Sequence, residues 1–145
     1  MLRRVIVLLF VLVLAAACGG DGSSDAESLL VTDGSNEQRY SVEDLEDLAA
    51  DQSAFEGTAY VGVQLATLLK DAGYDPSALS AVKAVANDGF TANYGPDLVT
   101  RSDTIVAYAT VDGALAEDDG TFRMVLPDQE GKLNPRFLVE LKIIR

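Results

Sequence analysis

Histidine is absent from the chain, and cysteine occurs once, at position 18. Without an imidazole, the usual general base near neutral pH, the Ser-His-Asp triad and the commonest metal ligand are all excluded. One cysteine permits no disulfide within the chain, and an acylated one would supply no thiolate for catalysis or metal binding. Basic residues are scarce: 11 Lys and Arg stand against 23 Asp and Glu, with no basic cluster. Nucleic acid is therefore excluded as a partner, because phosphate backbones are bound through Lys and Arg that displace counterions. Long apolar runs are missing too. Residues 5–17 form an uninterrupted run of 13, which as a helix at about 1.5 Å per residue reaches about 20 Å and does not span a bilayer.

That run follows Arg3 and Arg4 and ends in Ala15, Ala16 and Ala17 ahead of Cys18, the pattern of a cleavable secretory signal over residues 1–17. With cysteine at the cleavage point and GGDGSSDAES after it, this start resembles that of a bacterial lipoprotein, although Ala15 stands where such signals usually have Leu. The resemblance implies acylation of Cys18, a flexible tether over residues 18–28, and an extracytoplasmic protein held to the cell membrane by buried methylenes. Removing Arg3 and Arg4 leaves 9 bases against 23 acids, a net charge of −14. Such a surface suits solubility or a cationic partner.

Residues 29–145 are one domain's length. Residues 29–32 read as a short strand closed by Asp33-Gly34. Ser41 followed by acidic Glu43, Asp44, Glu46 and Asp47 reads as a capped helix start, with Val42, Leu45, Leu48 and Ala49 as its buried stripe. Val61, Leu65, Leu68, Leu69 and Ala72 fall at helical spacing, which predicts a second helix over residues 62–72 ended by Gly73. Residues 82–86 and 90–94 read as strands joined by an Asn87-Asp88-Gly89 turn. Residues 105–111 are apolar on both faces, as in a central strand, and precede an Asp112-Gly113 turn. Alternation at Phe122, Met124 and Leu126, and at Val139, Leu141 and Ile143, predicts two more strands. Short strands with two or three short helices and no βαβ rhythm imply an α+β domain with a β-rich mixed sheet.

Candidates for chemistry are few. Glu117-Asp118-Asp119-Gly120 lacks the alternating spacing of a calcium loop and reads as an acidic hairpin tip, so no metal site is expected there. Arg101 and Arg136 are the bases placed to meet an anionic ligand, with pairing to surplus acids as the simpler alternative. Phe90 and Tyr94 lie four apart in an extended run and so share a face, as core aromatics or as walls of a cleft beside Asp88.

Phe55-Glu56-Gly57, Gly62-Val63-x-Leu65-x-x-Leu68-Leu69-x-x-Ala72-Gly73, Asn87-Asp88-Gly89-Phe90, Ile105-Val106-Ala107-Tyr108 with Asp112-Gly113, and Arg123-Met124-Val125-Leu126-Pro127 occur in that order. Together they resemble the molybdopterin-binding oxidoreductase domain, the family of sulfite oxidase and the periplasmic methionine sulfoxide reductase catalytic subunit. The resemblance implies that fold for the domain. It also implies a molybdenum held by a cysteine thiolate in a Cys-x-Glu-Gly-like context, which here reads Ala54-Phe55-Glu56-Gly57. A methyl group cannot coordinate a metal. The expectation is therefore a degenerate, non-catalytic domain without a bound cofactor, binding a small ligand or an envelope protein partner near Ala54, Glu56, Asp88, Phe90, Tyr94, Arg101 and Arg136. The alternative is a molybdopterin-dependent redox protein with non-cysteine ligands.

Overall fold

The computed structural model describes residues 28–145; the expected signal, Cys18 and nearly all of the tether lie outside the described residues. Ten strands form two sheets. The first contains β1 (Leu29–Thr32), β2 (Glu37–Tyr40), β5 (Ala81–Ala86), β6 (Thr91–Tyr94) and β10 (Leu138–Ile144), in the order β2-β1-β10-β5-β6. Only β1 and β10 run parallel there, and the other pairs are antiparallel. The second contains β3 (Ala50–Phe55), β4 (Thr58–Gln64), β7 (Ile105–Thr110), β8 (Gly113–Ala114) and β9 (Arg123–Val125). Its order is β3-β4-β7-β8, with β9 also pairing with β7 nearer its start. Three short helices complete the domain: α1 (Val42–Glu46), α2 (Leu65–Asp71) and α3 (Pro96–Val99). This is the expected β-rich α+β architecture.

Burial follows the pleat. In β5 the pattern alternates, with Val82, Ala84 and Ala86 inside. Val82 and Ala84 join Leu29, Val31, Leu141 and Ile143 from the first sheet, Val63, Val106 and Met124 from the second, and Leu45, Leu65, Leu68, Leu69 and Val99 from the helices in one core. A smaller core of Tyr60, Ile105, Ala107 and Val125 covers the other face of the second sheet. β7 is thus buried on both faces at its start, which its apolar sequence requires.

The local signals act as their chemistry dictates. Ser41 Oγ accepts from the Asp44 N–H at 3.1 Å while Asp44 Oδ2 accepts from the Ser41 N–H at 2.8 Å, a reciprocal cap on α1. Gly73 lies at φ +94°, and the Tyr74 and Gly73 N–H groups donate back to Leu69 and Lys70 carbonyls at 2.8 and 3.0 Å, closing α2. The Asn87-Asp88-Gly89 turn joins β5 to β6.

Two expectations are corrected. The helix predicted over residues 62–72 begins only at Leu65, because residues 58–64 form β4, paired with β3 on one side and β7 on the other. Gly62 belongs there for another reason than a helix start: a Cβ on it would lie 2.0 Å from the Val106 carbonyl oxygen. On α1, only Leu45 of the predicted stripe is fully buried, and Ala49 is exposed after the helix has ended.

Candidate functional site

A cleft of about 530 Å³ opens where four loops meet. Phe55 and Glu56 reach it from the β3–β4 hairpin, whose two turn residues Glu56 and Gly57 both have positive φ, as a two-residue hairpin turn requires. Asn87, Asp88 and Phe90 come from the β5–β6 turn, Asp118 from the 3₁₀ turn Glu117–Asp119, and Pro135, Arg136 and Phe137 from the approach to β10. Its volume lies within the range of small-molecule sites.

Arg123 forms the floor. Its side chain is 2% exposed, and its Nη1 donates to Asp119 Oδ1 at 2.6 Å and to the Tyr60 hydroxyl at 3.0 Å. Nε donates to the Met124 carbonyl at 3.3 Å and Nη2 to that of Asn134 at 3.4 Å. The guanidinium also sits 4.7 Å from the Tyr60 ring centre and 5.7 Å from that of Phe55. Asp119 is buried in this pairing while Glu117 and Asp118 are exposed, so Glu117-Asp118-Asp119-Gly120 is a 3₁₀ turn with one carboxylate turned inward and not the expected acidic hairpin tip. The same Asp119 Oδ1 lies 3.4 Å from Arg136 Nε. Asn134, buried beneath, exchanges hydrogen bonds with both backbone groups of Leu126.

Four of the sequence-selected residues, Glu56, Asp88, Phe90 and Arg136, line this cleft, and three do not. Ala54 is exposed on β3, one residue short of the lining. Tyr94 is wholly buried in the core and donates its hydroxyl proton to the Leu133 carbonyl at 2.9 Å; burial raises its pKa. It shares no face with Phe90, because Phe90 belongs to the turn and β6 begins at Thr91. Arg101 is held elsewhere by Asp103 through two hydrogen bonds of 2.8 and 2.7 Å, which lower the Asp103 pKa.

Asp119, Arg123, Asn134 and Phe137 complete the site and were not singled out from the sequence as site residues. An acid and a base four apart in a chain so poor in bases was the available signal for the first two. The sequence also holds one Ser-x-x-Lys spacing, Ser80 to Lys83. Ser80 is exposed ahead of β5 while Lys83 lies within the strand, and neither lines the cleft.

The cofactor that the resemblance implies does not fit these residues. The position implied for the thiolate carries a methyl group, and among the described residues no group of three or more Cys, Asp or Glu side chains could hold a metal. Four of the five N–H donors of Arg123 are committed within the protein, and Arg136 is shared with Asp119. A phosphate-bearing pterin would therefore meet the carboxylates of Glu56, Asp88 and Asp118 with little free positive charge to balance them.

The fold has known counterparts. The crystal structure of the sulfane dehydrogenase SoxCD from Paracoccus pantotrophus superposes with a TM-score of 0.68 at 20% identity, over 81% of this chain and 38% of that one. This chain thus spans well under half the length of that enzyme, and the likeness concerns the fold. No curated protein matches the sequence. The family model described as the oxidoreductase molybdopterin binding domain matches residues 23–145, which include the whole region described above, and the chain belongs to that family.

Proposed function

We propose that this protein is an extracytoplasmic lipoprotein, anchored through acylated Cys18, whose molybdopterin-binding-type domain serves as a binding module and performs no redox chemistry. The observation that carries the proposal is the combination at the cleft: alanine where the family resemblance implies the metal-holding thiolate, and a floor arginine already neutralised by Asp119. A site without metal ligands, but with exposed aromatic rings and polar groups, retains the means to bind and not to transfer electrons.

The test is elemental analysis of the protein expressed in a host that makes molybdenum cofactor. Colourless protein with no stoichiometric molybdenum and no extractable pterin is expected, and a molybdenum content near one per chain would overturn the proposal. The anchor is tested separately. Cys18→Ala should move the protein from the membrane fraction to the soluble extracytoplasmic fraction, and unchanged membrane association would refute acylation as the anchor.

A further inference from the structure

We propose that the cleft is a receptor for a small organic cation carrying a quaternary ammonium or similarly diffuse positive charge. This rests on the binding-module reading above and names its ligand class. Among the described residues the exposed large apolar side chains are Phe90, Val111, Phe137 and Ile144, and both aromatic members of that set line this one cleft. Phe90 is 45% exposed and Phe137 38%.

The backbone presents both rings at the cleft. Phe137 holds φ +51°, a left-handed conformation that a bulky side chain rarely adopts. Its N–H donates to the Asp119 carbonyl and its own carbonyl accepts from the Asn87 N–H, each at 2.9 Å, so the backbone is pinned from both sides. Gly120 packs so closely that a Cβ there would lie 2.7 Å from the Phe137 ring. Asp88 Oδ1 accepts from the Phe90 N–H at 2.9 Å, fixing the turn that presents the second ring.

Charge decides the ligand's sign. The lining carries the carboxylates of Glu56, Asp88 and Asp118, all on exposed residues, against two guanidinium groups. Arg123 is cancelled by Asp119 at 2.6 Å in a buried pair, so only Arg136, half exposed and 3.4 Å from the same carboxylate oxygen, stands against the three carboxylates, which leaves a net charge of −2 at the cleft. An anion would face the unpaired carboxylates, and a neutral ring would leave them unanswered. A soft cation satisfies both the carboxylates and the aromatic faces, whose quadrupoles attract positive charge. Metal ions with tight hydration gain nothing from such rings.

The test uses the full chain in detergent and titrates choline and tetramethylammonium by calorimetry, with neohexanol as the uncharged isostere of choline. Saturable choline binding at least tenfold tighter than neohexanol is expected. Phe90→Ala and Phe137→Ala should each weaken it by about 2- to 30-fold. Asp88→Asn should weaken it and flatten its salt dependence, while Asp97→Asn, at an exposed position of α3 outside the cleft, should leave it unchanged. Should Phe137→Ala disturb the fold, Phe90→Ala and Asp88→Asn still decide. Choline binding no tighter than neohexanol, or unaltered by both of those variants, would overturn the proposal. Competition by phosphatidylcholine vesicles would mark a lipid headgroup as the source and its absence a free cation, both within the proposal. Molybdenum-free protein that ignores choline would sink this inference alone, whereas molybdenum-loaded protein would sink the binding-module reading as well.

Discussion

Asp119 holds the candidate site together at the level of single residues. Its Oδ1 receives Arg123 at 2.6 Å and stands 3.4 Å from Arg136, but the two arginines are not equivalent. Arg123 is shut away from water, and Arg136 has a side chain 52% exposed. Removing one partner of a buried pair leaves a charge that neither water nor protein compensates. Asp119→Ala should therefore cost about 3–5 kcal/mol, and Arg136→Ala no more than about 1 kcal/mol, read from urea midpoints. Replacing both buried partners, as in Asp119→Leu with Arg123→Met, should recover most of the loss, because the desolvation of two charges is then avoided. This network was not legible as a site. Arg123 sat in a run of alternating residues and Asp119 in an acidic stretch, and only the turn between them brings the pair inside.

Single elements were legible wherever a local rule decides alone. The Ser41 cap, the Gly73 terminus and the Asn87-Asp88-Gly89 turn each need only neighbouring residues, and each forms as its chemistry requires. The start of α2 was not legible, because Val61 and Leu65 satisfy helical spacing while Val61 and Val63 also satisfy a strand; pairing of β4 on both sides settles the matter for residues 58–64. The polar edge strands β2 (EQRY) and β3 (ADQSAF) carry too little apolar alternation to announce themselves. Gly62 gives a test at this scale. Its missing Cβ is what allows β4 to approach β7 beside the irregularity between Val61 and Gly62, so Gly62→Ala must push the strands apart. A loss of at least about 1–3 kcal/mol in urea denaturation is expected. A substitution without effect would mean that the second sheet yields more readily than its packing implies.

For the whole molecule, the absence of histidine shapes the response to pH. Asp33 is lowered to about 2, first by the Asn36 backbone N–H, and Asp44, Asp51, Asp75 and Asp103 are also lowered by hydrogen bonds. A depressed carboxylate stabilises the fold above its unfolded value of 3.8, and that contribution disappears as pH falls towards the folded value. Tyr40 and Tyr94 are raised above 10.0, chiefly by burial, so the stability they contribute below 10.0 is lost as pH climbs past it. With nothing of imidazole type to titrate between these limits, urea midpoints should be level from about pH 5 to 9 and fall on both sides. A step near neutral pH would contradict this account. The position of β10 carries a further consequence, one of timing. A chain made or threaded from its N-terminus has β1 and β5 well before β10, the strand that stands between them. Until residues 138–144 arrive, both neighbours present unpaired edges and uncovered apolar faces, so any pause before them leaves an adhesive intermediate for chaperones or proteases to find.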